Sequence, residues 1–274
     1  MGRFLAALAA LVAAPAIAFP GAPQEYDVPA PQPAMWAISD HDTTIFLFGT
    51  FHALDSSTDW FSPLIRAALG ASEQLVLETI VPSSPFELHG SLMRHQLAKA
   101  PVAGQPIVSS DAHPGFVESA RRTMDSSRSA GMTFDTGADA VLRRTAEAQG
   151  KAVEGLESFD SQLGMFATIS KLTARVGQQG EALDQRATVH RLRNAWMAGQ
   201  ASEFDTMLGS IRTQSPETYR ILFADRNQRW ADWIARRLDQ PGVAFVAVGA
   251  GHLTGGDSVQ ANLARRGIRT HKVS

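Results

Sequence analysis

Two histidines are set apart by what precedes them. His52 comes after the apolar run TTIFLFGT and His252 after VAFVAVG, each three residues beyond a glycine in the pattern G-x-x-H. Two shorter apolar runs end in glutamate, QLVLE at Glu78 and AVEGLE at Glu157. A carboxylate that closes a buried run needs a partner, because burying it alone is costly. Two imidazoles with one or two carboxylates suit a borderline divalent metal such as manganese, cobalt or zinc. Such an ion lowers the pKa of bound water toward neutrality, and a carboxylate outside its ligand shell can then take the proton. The chemistry expected from this set is metal-assisted hydrolysis.

One G-x-x-H is a weak signal, and a single strand-end histidine is more often a structural hydrogen-bonding group. The recurrence after a second apolar run sets a shared site against that structural reading. Glu154 could take the place of Glu157, and either could be a solvated loop residue. Gly49, Gly249 and Gly251 let the chain turn and let backbone N–H groups approach a ligand closely. With Thr50 beside the first of them, they form the expected substrate-binding loop residues. In FADRNQRWADWIARRL, Arg226 and Asn227 fall four and three residues before Trp230 on a helical stripe. Arg226 could steady a carboxylate or an oxyanion, or simply be surface charge at a helix start. The sequence contains no G-x-S-x-G, H-E-x-x-H, phosphate-binding loop or dinucleotide fingerprint, and the absence of cysteine removes thiol nucleophiles.

These residues need a scaffold that gathers strand ends. MWAIS and TTIFLFGT, joined by DHD, read as a β-hairpin. SPLIRAALGAS reads as a helix with Ser62 as N-cap and Pro63 at its first position, followed by the strand QLVLET. DTGADAVLRRTAEAQG is a helix ending at Gly150, and KAVEGLE a short strand. Helical patterns run from Ser158 to Asp239. VAFVAVG then gives a strand, DSVQANLARRG a helix closed by Gly267, and IRTHKV a last strand. The expected fold is a single α/β domain over residues 35–274. It has a central mixed, mostly parallel sheet, helices on both faces and a helical insertion in the middle of the chain. In such sheets ligands sit beyond the carboxyl ends of the strands, where all four acidic and imidazole residues fall. Pro101 to Arg128, rich in Ser, Pro and Gly, reads as a surface excursion.

At 44% hydrophobic and 19% charged residues, the chain of 274 residues has ordinary globular composition. A net charge of −2 supplies no basic face for phosphates, so nucleic acid is not an expected partner. Residues 1–18, MGRFLAALAALVAAPAIA, have one early arginine, an apolar stretch and a closing A-x-A. That is the layout of a signal peptide, and its apolar run is shorter than the ~20 residues of a spanning helix. The expectation is a periplasmic or secreted protein with no stable membrane anchor after signal removal. Residues 19–34, rich in Pro and Gly, read as an extended lead-in.

The motifs FLFGTFHALDSSTDWFSP, LVLE, GLESFDSQLGMF, DRNQRWADWI and VAVGAGHLTGGDSVQANLARRGIRTHKV occur in this order from Trp36 to the end. Together they resemble the TraB/GumN family, related to the TIKI-type metalloproteases. The resemblance implies an α/β fold shared with erythromycin-esterase-like proteins. It also implies a divalent-metal hydrolase site built from His52, His252 and Glu78. Arg226 and Asn227 are implied as further site residues, and Glu157 and Gln162 match a G-L-E-x-x-x-x-Q pattern. Carried through, the expectation is an exported metal-dependent hydrolase of peptides or small amides and esters. Its catalytic set comprises Glu78, Glu157, Arg226 and Asn227, with Gln162 among the substrate-binding residues. The alternative is a non-catalytic periplasmic binder of a peptide, haem or glycan, linked to polysaccharide production.

Overall fold

The computed structural model describes residues 32–95, 127–128, 131–176 and 185–274. The expected signal segment, most of the lead-in and nearly all of the excursion from Pro101 to Arg128 lie outside the described residues.

Strand β1 (Met35–Ser39) turns through Asp40–Asp42 into β2 (Thr43–Thr50). The Asp40 side chain accepts the Thr43 N–H at 2.9 Å, the local bond that makes aspartate a turn former. Ser39 faces Thr44 and Met35 faces Phe48 in antiparallel register, so the expected hairpin is present. Helix α1 (Pro63–Ala71) starts as its sequence asks: the Ser62 side chain accepts the Ile65 N–H, and Pro63 gives up no needed donor. It leads to β3 (Gln74–Leu77) and α2 (Pro85–Arg94). After them come α3 (Ala138–Ala148), β4 (Ala152–Gly155), α4 (Phe159–Val176), α5 (Gln185–Met197) and α6 (Ser202–Gln214). The single turn α7 (Pro216–Tyr219) runs through a π-helical turn, Arg220–Ala224, into α8 (Asp225–Arg237). The chain closes with β5 (Gly242–Gly249), a 3₁₀ turn at Ala250–Leu253, α9 (Val259–Ala264) and β6 (His271–Lys272).

The sheet order is β4-β3-β5-β2-β1-β6. Strands β4, β3, β5 and β2 are mutually parallel, while β1 runs antiparallel to β2 and to β6. The last strand is shorter than IRTHKV implies, with only His271 and Lys272 pairing at the edge.

Alternate residues of the central strands feed two separate cores, as the two-residue period of a strand requires. Phe48, Leu75, Leu77, Phe245 and Ala247 point to the face covered by α1, α3 and α5, where they meet Ile65, Leu142 and Trp196. Ile45, Leu47, Val76, Val246 and Val248 point to the other face, against Trp230 and Ile234 of α8 and Leu263 of α9. Burying both faces explains why β2 and β5 read as continuous apolar runs rather than alternating ones. The four parallel strands run in one direction, so their carboxyl ends share one edge.

Candidate active site

That shared edge collects the polar residues. His52 lies just past β2, Glu78 follows β3, Glu157 comes after β4 and His252 sits in the 3₁₀ turn after β5. The β3 and β4 ends continue side by side, with the Leu156 N–H bonded to the Leu77 carbonyl at 2.8 Å and the Glu157 N–H to that of Glu78 at 2.9 Å. This places the two glutamates as neighbours. Glu154 is exposed on β4 and takes no part.

Arg226, on the first turn of α8, is the centre of the cluster and only 4% exposed. Its Nη2 donates to Glu78 Oε2 at 2.9 Å, and its Nε to Glu157 Oε1 and Oε2 at 2.9 and 3.1 Å. Its Nη1 donates to the Leu222 carbonyl and to His252 Nε2, both at 3.1 Å. The guanidinium also lies over the Trp230 ring, 4.6 Å from its centre. Nearly all of its donors are therefore committed inside the protein, and it acts as a strut between three strand ends.

Asn227 fixes His252 in the same way. Its amide nitrogen donates to the Asp257 carbonyl at 2.8 Å, which leaves its oxygen to accept from His252 Nδ1 at 2.6 Å. His252 is thereby the Nδ1–H tautomer with its Nε2 lone pair turned to Arg226. The ring packs between Trp230 and Phe223, at 4.4 and 5.1 Å between centres. Burial in these surroundings pushes its pKa down to about 3, so His252 is neutral at physiological pH. Burial works the other way on Glu78, raising its pKa, but the Arg226 and His52 charges and the Gly249 N–H outweigh it. The result is a carboxyl held at about 2.

His52 differs from His252 in nearly every respect. Its ring is 53% exposed, and its Nδ1 is 2.7 Å from Asp139 Oδ2. Asp139 also accepts the Thr50 hydroxyl at 2.8 Å, which locks the carboxylate toward the imidazole. The Asp139 charge raises the His52 pKa to about 9, against the effect of burial, and the ring's contact with solvent screens part of that pairing. Two local connections bring Asp139 there. The strand-like bridge between Leu54 and Thr133 joins the loop after β2 to the segment before α3, and the Ala138 N–H bonds to the Phe51 carbonyl at 3.0 Å.

Between His52 and Glu78 lies a notch floored by Gly249. A Cβ at this glycine would come within 3.0 Å of His52 Nε2 and 3.1 Å of Glu78 Oε1. The Gly249 backbone is at φ −53° and ψ 136°, a conformation open to any residue. Its lack of a side chain therefore keeps space rather than permitting a turn. The Gly249 N–H is already used, donating to Glu78 Oε1 at 2.6 Å.

The expected substrate-binding residues are divided by this arrangement. Gly249 borders the notch, and Thr50 serves it through Asp139. Gly49 gives its carbonyl to Trp196 Nε1 at 2.7 Å, and a Cβ at Gly251 would meet Phe223 at 3.3 Å. Those two glycines hold packing. Gln162 sits in the first turn of α4, and its side chain makes none of the cluster's hydrogen bonds. Asp139, Phe223 and Asp257 are parts of the site that the strand-end pattern does not reveal. The available signal for Asp139 was an acidic residue in a helix's first turn, a placement the helix dipole already favours.

The donor atoms allow a direct test of the expected metal set. Among the described residues, the ligand atoms that gather within 4.8 Å of one another belong to Asp40, His41 and Asp42 in the exposed hairpin turn. His52, His252 and Glu78 do not form such a group. Glu78 Oε1 and His252 Nε2 are 3.7 Å apart, but Oε1 accepts the Gly249 N–H, while Glu78 Oε2 and His252 Nε2 are met by the Arg226 guanidinium. As arranged, these residues do not fit a divalent cation.

The family model described as TraB/PrgY/gumN family matches residues 34–102 and 90–272. No curated protein and no solved structure matches the chain.

Proposed function

The chain belongs to the TraB/PrgY/gumN family, and from that premise and the site geometry we propose that it hydrolyses an amide or ester bond, with peptides the leading substrate class. The observation that carries this reading is the notch at Gly249, with the His52–Asp139 pair on one side and the Glu78 carboxylate on the other. A donor and an acceptor held against one glycine, with no side chain between them, can act on the same bound group, which is a hydrolytic arrangement.

The division of labour follows from the two pKa directions. Held charged by Asp139, His52 presents an Nε2–H to the carbonyl oxygen of the substrate. Glu78 remains ionised and accepts a proton from the attacking water as the new C–O bond forms. The carbonyl electron pair moves onto oxygen, where the imidazolium stabilises it. When the intermediate collapses, the C–N or C–O bond breaks and the leaving group takes the proton from Glu78. Arg226 keeps Glu78 and Glu157 in place, while Asn227 holds His252. Both Arg226 and Asn227 serve as positioning residues. A divalent metal, which the resemblance implies, has no assigned step here. Within the same proposal the reaction takes place in the periplasm or outside the cell, a reading supported by the signal-peptide-like layout of residues 1–18.

The test is turnover of a peptide and chromogenic-ester panel by wild type, His52→Ala and Asp139→Asn. Loss of the acid should lower kcat/KM by about 10²–10⁴-fold in His52→Ala, and loss of its orienting partner should lower it less. Equal rates in all three proteins would sink the mechanism. Stoichiometric binding of a ligand that is left intact would replace it with the binding-protein reading.

A further inference from the structure

We infer that Arg226 is the built-in cation of this site, standing where the same donors would otherwise hold a divalent metal, so that the wild-type cluster takes up none. The inference concerns the ligand chemistry of the site and holds whether or not the protein hydrolyses anything.

By chemical type the donors around Arg226 are those of a metal centre, two carboxylates and one neutral imidazole nitrogen, held apart by the guanidinium so that their atoms do not all lie within 4.8 Å of one another. Glu78 and Glu157 have side chains only 10% and 8% exposed, and His252 is 6% exposed. Two buried carboxylates need a compensating positive charge. Divalent ions satisfy such sets in many proteins, and two oxygens with one imidazole match zinc, manganese or cobalt well. Here the charge is supplied by a side chain whose planar fork reaches both carboxylates at 2.9 Å and the imidazole lone pair at 3.1 Å. Asn227 strengthens the arrangement, since the tautomer it selects leaves Nε2 as an acceptor for a cation. The guanidinium is anchored from outside the acidic set as well, by the Leu222 carbonyl and the Trp230 ring, so it is not a mobile surface charge. A divalent ion reaching Glu78 and His252 would have to expel it into the indole face.

The experiment is a cobalt(II) titration of the chelator-stripped protein, read by visible absorption and by thermal unfolding. Wild type should show no site-specific cobalt spectrum and no Tm shift on adding either chelator or cobalt. Arg226→Ala leaves Glu78, Glu157 and His252 facing a cavity. It should bind about one equivalent of cobalt with a rise in Tm, and the double change Arg226→Ala with His252→Ala should abolish that uptake. If Arg226→Ala is unfolded without metal, recovery of its cooperative transition on adding cobalt supports the inference, and failure to recover counts against it. Uptake of one equivalent by wild type, lost in His252→Ala, overturns it. So does a folded Arg226→Ala protein that binds no more cobalt than wild type. A metal-free wild type that hydrolyses nothing would end the proposed activity while leaving this inference intact.

Discussion

At the residue scale, Gly249 is the most sensitive single position. Alanine suits its backbone angles, so Gly249→Ala should fold with little change in Tm. The added methyl would nonetheless press on His52 Nε2 at 3.0 Å and on Glu78 Oε1 at 3.1 Å, filling the notch. The expected outcome is a loss of at least about tenfold in kcat/KM, since small displacements of reacting groups are costly. Parallel melting curves and rates would check it. An active Gly249→Ala enzyme would place the chemistry elsewhere. The strand-end histidines and glutamates were legible in the sequence because a polar residue closing a long apolar run is out of character with what precedes it. The task of Arg226 was not. A guanidinium in a helix's first turn reads equally as surface charge or as a substrate contact, and only the fold shows that Glu78, Glu157 and His252 already engage it.

At the scale of elements, the His52–Asp139 pair depends on how closely α3 can approach the loop after β2. The approach is tightest at Gly137, where a Cβ would lie 1.9 Å from the His52 carbonyl oxygen. Unlike the side chains around Gly249, this neighbour is backbone and cannot swing aside. Gly137→Ala should therefore push α3 away, costing about 2–3 kcal/mol of stability as an overpacked contact and breaking the bond to Asp139. Urea unfolding gives the first quantity, and the His52 imidazole resonances by NMR report the second. A Gly137→Ala protein as stable as wild type would contradict the close approach. Asp139 itself escaped sequence reading because its partner lies on another element, and the zipper joining the two is made of backbone groups. The π-helical turn was invisible for a similar reason. Its residues, RILFA, look like ordinary helix, yet it is the Leu222 carbonyl and the Phe223 ring of this turn that hold Arg226 and His252.

For the molecule as a whole, the helical middle must be fastened to the sheet edge that carries the site. Arg193 of α5 does this, donating to Asp55 Oδ2 at 3.0 Å and to the Thr58 hydroxyl at 2.8 Å. Hydrogen bonds from Ser57 and Thr58, with the Arg193 charge behind them, hold the Asp55 pKa at about 2, below its ordinary 3.8. A depressed carboxylate contributes stability above its unfolded pKa and loses it as the pH falls through the folded one. With solvent screening of this partly exposed group that contribution is about 1 kcal/mol, complete above pH ~5 and lost between pH ~4 and ~2. Asp55→Asn should accordingly be less stable than wild type at pH 6, and the gap should close as the pH approaches 2. Urea midpoints at both pH values would show whether it does. The overall class was readable because buried parallel strands and capped helices alternate in the sequence. The sheet order was not, since hydrophobic runs do not state which of them become neighbours.

That order has a consequence for how the protein comes into being. Strand β5 pairs with β2 on one side and with β3 on the other, yet it is the last long strand to be synthesised. Until Gly242–Gly249 has emerged, β2 and β3 have an empty lane between them, and closing it joins segments from opposite ends of the chain. The nascent polypeptide cannot settle into its final form piece by piece from its amino terminus. The sheet closes only when β5 takes its place between β2 and β3.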